Sequence, residues 1–497
     1  MKLSELLKGV SVRAIHGSTD VDITGVTPDS RLVKPGSLFV AIPGTVKDGS
    51  AFIPQALEKG AAAIVIAAAD RPPAGNRQAP IVEVEDARAA LALLAANFYG
   101  RPATKLSLVG VTGTSGKTTT TRMIESIFDA PVEGRSEAVG LIGTIEYRAG
   151  DERLVADRTT PDAVVLQEWF AKMVDAGVKH AVMEVSSHAL ALHRTHGLHF
   201  AAAVFTNLTR EHFDFHGSFE KYFEAKRMLF DQIDRTRRTS VVNVDDEYGR
   251  RLVNELGANA LTFGRTGTAD LRPSDDFVID VEGLHGTILT PAGRIRIDSP
   301  LIGLPNLYNW LGAIGAALVV DIPIPQIEAG IRNLKSVRGR FERVPHDGGP
   351  TVIVDYAHKP DALEKLLHAV RDLAKERRIW VLFGCGGDRD KGKRPQMGEI
   401  AGRLSDVVIV TSDNPRSEDP QTIIDEIAAG IHGREFRTIA DRRAAIEAAI
   451  AGADDRDVVV IAGKGHETYQ VVGDQILHFD DLEEAEIALT KRNVKSA

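Results

Sequence analysis

The sequence predicts an α/β protein of about three domains, and three observations carry that reading. Short apolar runs rich in β-branched residues alternate with helix-like stretches along most of the chain. One such run, Leu106, Leu108, Val109 and Val111, leads into a glycine-rich loop and then a helix predicted over 118–128. The third is length: 497 residues are too many for a single hydrophobic core.

Residues 1–104 form the first expected block, with strands at 37–42, 62–66 and 81–84 and a helix over 86–99. Gly100-Arg101-Pro102 closes it with residues that break regular structure. The second block, 105–336, adds strands at 181–185, 201–205 and 240–244, and its alternation implies a largely parallel sheet. The third, 337–497, restarts the pattern at 351–355, 379–383, 407–410 and 457–461. Each of those strands runs into a polar or glycine-bearing loop, which is where an open α/β sheet binds ligands.

Composition narrows the class. A hydrophobic content of 43% with both charge signs present fits a globular enzyme rather than a disordered chain. The net charge of -9 argues against a general nucleic-acid binder. One cysteine, Cys385, excludes an internal disulfide framework and fits a reducing cytosol. No secretory segment opens the chain and no apolar run is long enough to span a bilayer, so a cytoplasmic location is expected.

The loop Gly113-Thr114-Ser115-Gly116-Lys117-Thr118 carries the most specific chemistry. Its glycines let backbone N–H groups turn toward a phosphate at the positive end of the helix that begins with Thr118 and Thr119. Lys117 is placed to neutralise the outer phosphates of a nucleotide and the Thr118 hydroxyl to meet its magnesium. The strict pattern wants glycine at 111, where this chain has valine, so the loop is a shortened variant. A carboxylate, Glu184, and an imidazole, His212, follow two further strands and could share one magnesium beside this loop. Lys226, on an amphipathic helical stretch, reads by pattern alone as a surface lysine.

Gly113–Thr118, Glu184-Val185-Ser186-Ser187-His188, Thr206-Asn207-Leu208, Ala225-Lys226 and Asp355-Tyr356-Ala357-His358 together resemble the Mur ligases, ATP-dependent amino-acid-adding enzymes of peptidoglycan synthesis. Asp29-Ser30-Arg31, Thr159-Thr160-Pro161 and Asp413-Asn414-Pro415-Arg416 resemble the branch that adds meso-diaminopimelate to UDP-MurNAc-L-Ala-D-Glu. The resemblance covers nearly the whole chain. It implies an N-terminal UDP-binding domain, a central P-loop ATPase domain and a C-terminal Rossmann-like domain that binds the amino acid, working as a monomer.

The implied reaction is amide formation through an acyl phosphate, and the site residues follow from the resemblance. Lys117, His212 and Lys226 would be catalytic; Thr118, Glu184 and His212 would hold magnesium; and Lys226 would be carbamylated by carbon dioxide to N6-carboxylysine. ATP would meet 113–119 together with Asn306, Asn309 and Arg340. The UDP-linked dipeptide would meet Ser30, Thr45, Val46, Lys47, Arg158, Thr159, Thr160, Ser186, Leu192 and Arg194, although Arg158 and Leu192 stand where relatives often carry asparagine and glutamine. Diaminopimelate would meet Arg389, Asp413, Asn414, Pro415, Arg416, Gly463 and Glu467, with Arg416 offering a planar fork to its distal carboxylate. Two alternatives remain from the sequence: a folylpolyglutamate synthetase-like ligase, expected to lack the first block and the 413–416 signature, and a non-catalytic nucleotide-dependent scaffold.

Overall fold

The computed structural model describes residues 1–44, 48–68, 79–131, 138–234, 236–265 and 267–496. These fall into two compact units, Met1–Ala269 with Gly312–Ile327, and Asp270–Leu311 with Glu328–Ala497.

In the first unit, β1 (Val12–His16), β2 (Gly25–Thr27), β3 (Ser37–Val40), β4 (Ala63–Ala67) and β5 (Ile81–Val84) form a sheet ordered β1-β5-β4-β3-β2. Only β1 runs antiparallel to its neighbour. Asp86 caps the helix Ala87–Phe98 by accepting from the N–H groups of Arg88 and Ala89, which explains why the helix begins where the sequence places it.

A larger sheet contains β6 (Ser107–Thr112), β7 (Val139–Ile142), β8 (Glu146–Ala149), β9 (Glu152–Val155), β10 (His180–Glu184), β11 (Ala202–Phe205), β12 (Ser240–Asn243) and β13 (Ala260–Phe263). Its order is β13-β12-β11-β6-β10-β7-β8-β9, parallel except at β8 and β9. β6, between β11 and β10, is wholly enclosed: Leu108, Val109 and Val111 are buried, as a parallel strand covered on both faces requires. Register pairs Val111 with Glu184 and Thr112 with Phe205, so the loops leaving β6, β10 and β11 emerge side by side.

The second unit contains an antiparallel sheet that the periodicity reading did not predict: β14 (Arg272–Pro273), β15 (Val278–Ile279), β16 (Leu284–Thr290) and β17 (Gly293–Ser299). β17 alternates exposed arginines and aspartate with buried Ile295, Ile297 and Ser299, the signature of a sheet with one solvated face. The main sheet comprises β18 (Glu342–Arg343), β19 (Thr351–Asp355), β20 (Ile379–Phe383), β21 (Val407–Val410), β22 (Phe436–Thr438) and β23 (Val458–Ala462), ordered β18-β19-β23-β20-β21-β22. It is parallel apart from β18, with apolar clusters on both faces. The hairpin β24 (Tyr469–Val472) and β25 (Gln475–His478) was likewise not foreseen, because its polar and apolar residues do not separate into two faces.

Candidate functional site

The chain leaves β6 at Thr112 and turns through Gly113 to Gly116 into the helix Lys117–Phe128. Gly113 has φ +150°, and a Cβ there would collide with Thr206 Oγ1, so the close approach of the two loops requires glycine. The Thr114 N–H donates to Asn207 O at 2.9 Å and the Ser115 N–H to Asn207 Oδ1 at 3.0 Å. The sequence reading turned the loop's amides toward an anion. Those two are engaged by Asn207 instead, so the anion-binding potential lies at the positive end of the helix, with Gly116, Lys117, Thr118 and Thr119. Lys117 Nζ donates to the carbonyls of Gly113 and Thr114, each at 2.9 Å.

Glu184, at the end of β10, is 1% exposed. Its carboxylate accepts from Thr118 Oγ1 at 2.9 Å, the Thr144 N–H at 2.7 Å and Thr144 Oγ1 at 3.0 Å. Three donors offset the cost of burying this group and fix its direction against the P-loop.

Thr159, Thr160, Ser186 and Arg194 are gathered behind it. The Thr144 and Thr159 hydroxyls lie 3.1 Å apart, Thr160 Oγ1 donates to Glu184 O at 2.8 Å, and Arg194 Nη1 donates to Thr160 O at 2.7 Å. Ser186 caps the short helix Ser187–Ala191, its Oγ accepting from the Ala189 N–H. Leu192 ends that helix, and the Arg158 side chain is 55% exposed beside Asp157.

His212, held at φ +57°, has its ring 4.7 Å from that of His188 and 6.2 Å from that of Tyr222. Lys226 corrects the pattern-based expectation of a surface lysine: it is 1% exposed, because its helix turns this face inward with Tyr222 and Phe223. Its Nζ donates to Gly113 O at 2.7 Å and lies 4.6 Å from the centre of the Tyr222 ring. Burial first, and the Lys117 cation second, push the Lys226 ammonium well below the usual lysine range, with Glu211 opposing.

Ser30 Oγ donates to Gln55 Oε1 at 2.7 Å. Thr45, Val46 and Lys47 lie outside the described residues.

In the second unit the loops after β21 and β23 meet. Asn414 Nδ2 donates to Glu467 Oε2 at 2.9 Å, and Lys464, 0% exposed, bridges Asn414 Oδ1 at 3.2 Å and Glu467 Oε2 at 3.1 Å. Asp413 Oδ2 faces Gly463 so closely that a side chain there would crowd it. Arg416 Nη1 donates to Gly387 O at 2.8 Å, while Arg389 is exposed on the preceding loop. Pro415 is buried. Arg340 lies over the Tyr356 ring at 5.0 Å, and the Phe341 N–H donates to Asp355 Oδ2 at 2.8 Å. Asn306 and Asn309 sit in the first turns of the helix Leu304–Val319, joined at 3.3 Å, with Asn306 Nδ2 donating to Ile302 O at 2.9 Å.

Three residues of these sites escaped the sequence reading. Thr144 follows β7 directly and could have been found as another strand-end polar residue. Tyr222 precedes Lys226 by four positions on one helix, and Lys464 precedes Glu467 by three.

Among the described residues no three His, Cys, Asp or Glu side chains converge on a metal-sized space. Magnesium held with a nucleotide does not require such a cage, since one or two carboxylates plus phosphate and water oxygens suffice. The oriented Glu184 carboxylate beside Thr118 Oγ1 fits that donor set.

The sequence matches family models for the Mur ligase family, catalytic domain (residues 22–99), the Mur ligase middle domain (111–317) and the Mur ligase, glutamate ligase domain (339–465). A UDP-N-acetylmuramoyl-L-alanyl-D-glutamate–2,6-diaminopimelate ligase of Gloeobacter violaceus is 48% identical over 496 residues, covering 99% of each chain. The ligase of that name from Bacillus licheniformis is 45% identical over 495 residues, covering 98% of this chain and 99% of the other. A solved structure of a protein with this name superposes with a TM-score of 0.71 at 30% identity, over 99% of both chains. Coverage of this extent includes the first block and the 413–416 loop, the parts a folylpolyglutamate synthetase-like ligase is expected to lack. Three matched domains in order, together with a P-loop, an oriented carboxylate and a buried lysine, lead to one conclusion: the chain belongs to the Mur ligase family.

Proposed function

We propose that this protein joins meso-diaminopimelate to the D-Glu γ-carboxylate of UDP-MurNAc-L-Ala-D-Glu, converting ATP to ADP and phosphate, as a monomer in the cytoplasm. The observation that carries the reading is the meeting of Lys117, Lys226 and the Thr118–Glu184 pair at one P-loop. Residues 1–104 bind the UDP end, 105–336 bind ATP, and 337–497 bind the incoming amino acid.

A carboxylate is a poor electrophile, so its oxygen first attacks the γ-phosphorus and ADP leaves. The amine of diaminopimelate, having lost its proton, then attacks the acyl carbon and phosphate leaves. The first step brings two anions together, and Lys117 lowers its barrier by meeting charge that develops on the transferring phosphoryl. Thr118, Glu184 and His212 hold magnesium, which when bound adds positive charge at the same phosphates. The depressed basicity of Lys226 supports its reading as a carbamate, since only the neutral amine reacts with carbon dioxide and the product is an anion compatible with a nearby metal.

Arg340, Asn306 and Asn309 are assigned to ATP by the family resemblance. Ser30, Thr45, Val46 and Lys47 are assigned to the UDP end by the family resemblance, and Thr159, Thr160, Ser186 and Arg194 to the dipeptide. Arg389 and Arg416 take the two carboxylates of diaminopimelate, and Glu467 with Gly463 receives its distal ammonium.

The test is ADP release by the purified protein with ATP and magnesium. Release should require both UDP-MurNAc-L-Ala-D-Glu and diaminopimelate, with one phosphate formed per amide. Turnover with a folate and glutamate instead, or ADP release indifferent to both substrates, would overturn the reading.

A further inference from the structure

The loop carrying Arg389 and the loop carrying Arg416 are joined backbone to backbone. The Gly387 N–H donates to Asn414 O at 2.9 Å, Arg416 Nη1 donates to Gly387 O at 2.8 Å, and a Cβ on Gly387 would collide with Pro415 O. Side chains extend the seam, with Ser417 Oγ donating to Asp388 Oδ1 at 2.7 Å and the Ser417 N–H to Asp388 Oδ2 at 3.2 Å. Asp388 and Arg416 sit at φ +54° and +53°. Non-glycine residues hold such a conformation only where their surroundings impose it.

Arg394, on the first turn of the helix Lys393–Leu404, is 0% exposed and ties both loops from beneath. Its Nη2 donates to Glu418 Oε1 at 2.9 Å and to Gly386 O at 3.3 Å; its Nη1 donates to Glu418 Oε2 at 3.0 Å and Glu426 Oε2 at 2.7 Å. Glu418 Oε1 also accepts the Asp388 N–H at 2.6 Å. One buried fork and one carboxylate therefore grip the loop of Arg389 and the loop of Arg416 together. Glu418 is partly exposed at 15%, and an ion pair with one buried partner is a poor device for stability alone, because apolar residues of similar volume often do as well or better. Its value lies in fixed geometry, since a bidentate arginine–carboxylate pair tolerates little change in distance or angle.

We infer that Arg394 and Glu418 form a positioning clamp that sets the separation of Arg389 and Arg416, and thereby the length of the two-carboxylate amino acid the enzyme accepts. The inference rests on the reading of these loops as the amino-acid site. Neither clamp residue touches substrate; both act through the loops they hold.

The experiment measures KM for diaminopimelate, ATP and UDP-MurNAc-L-Ala-D-Glu, and the kcat/KM ratio of diaminopimelate to L-lysine, in the full-length wild type, Glu418→Gln, Arg394→Lys and Ser417→Ala. Glu418→Gln keeps the shape but sets an amide NH2 against Arg394 Nη1. It should raise KM for diaminopimelate about tenfold or more and lower the preference over lysine, with the other two KM values within about twofold of wild type. Arg394→Lys keeps the charge without the fork and should behave alike. Ser417→Ala, at an exposed position, should raise the same KM by about two- to fivefold, and decides the matter if the buried variants do not fold. An unchanged KM for diaminopimelate in an active, folded variant, or an equal rise in all three KM values, would overturn the clamp while leaving the proposed function intact. A wild type that does not turn over diaminopimelate would overturn the proposed function, and the clamp's stated role with it.

Discussion

The ammonium nitrogens of Lys117 and Lys226 donate to one shared acceptor, the carbonyl oxygen of Gly113, at 2.9 and 2.7 Å. One lysine comes from the P-loop helix and the other from the helix Phe219–Arg227, so Gly113 couples two elements far apart in sequence. Two cations at a single carbonyl repel, and the buried one yields: Lys226 is pushed toward its neutral amine by burial and then by Lys117. Lys117 is the cation proposed above for phosphoryl chemistry.

Lys117→Ala should therefore abolish amide formation. The γ-phosphoryl loses its protein cation at a cost of several kcal/mol, or about 10²–10⁴ in rate. Product formation is followed by chromatography of the UDP-linked tripeptide alongside circular dichroism of the variant. A folded Lys117→Ala protein with turnover near that of the wild type would rule out the assigned role.

Lys226→Ala should be inactive for a different reason, the loss of the carbamate anion proposed above to lie near magnesium. Acetate or formate at high concentration should restore part of the activity by occupying the vacated place, whereas neither should rescue Lys117→Ala. A metal-bound wild-type structure with an unmodified ammonium at Lys226 would count against carbamylation.

Much of the fold was legible because β6, β19, β20, β21 and β23 are covered on both faces, and full burial writes itself as continuous runs such as Val407–Val410. The antiparallel β14–β17 sheet was hidden because its strands are short or half-exposed, and no tight-turn dipeptide marks the β16–β17 connection. In the site, Lys117, Thr118 and Glu184 announce themselves by spacing and by strand-end position. Lys226 does not, since burial of a lysine depends on which helix face packs inward, and that is decided by the sheet it meets. Lys464, on the loop after β23, was obscured because its burial depends on the neighbouring loop that carries Asn414. Thr144 shows its function only once β7 is seen beside β10, where its backbone and hydroxyl both reach Glu184.

His216 gives the stability a pH dependence. Its Nε2 lies 2.9 Å from Ser187 Oγ, and burial above all, with His188 and His212 adding repulsion against a smaller pull from Asp214, lowers its basicity to about 4 from 6.5. The unfolded chain thus binds more protons than the folded one between these values. Stability is fully present above pH 6.5 and is lost as pH falls toward 4. His216→Gln should reduce the slope of the melting temperature across that window, leaving the part that His466, also lowered to about 4, and His188, His196 and His358, lowered in the same direction, still impose. Thermal melts of both proteins at matched ionic strength check this. Parallel curves for wild type and variant would remove His216 as a source of the dependence.

We propose that Arg416 governs the choice of amino acid. Its backbone is held on both sides, the N–H donating to Val471 O at 3.1 Å and the carbonyl accepting from the Gly473 N–H at 2.8 Å, so the guanidinium is presented from a fixed base. A planar fork pairs two N–H groups with a carboxylate, and L-lysine brings no distal carboxylate to meet it. Lysine leaves the fork without a carboxylate to meet, and discrimination of about 10²–10⁴ is within reach of such a site. Arg416→Lys keeps the charge and loses the fork, so KM for diaminopimelate should rise about tenfold or more. Arg416→Ala should raise it further while KM for ATP stays near its wild-type value, because the lost contact belongs to the amino acid alone. Comparing kcat/KM for diaminopimelate and L-lysine in the three proteins reads this directly. Equal use of both amino acids by the wild type would refute the role of Arg416, since a site built around an arginine fork cannot be indifferent to the group that fills it.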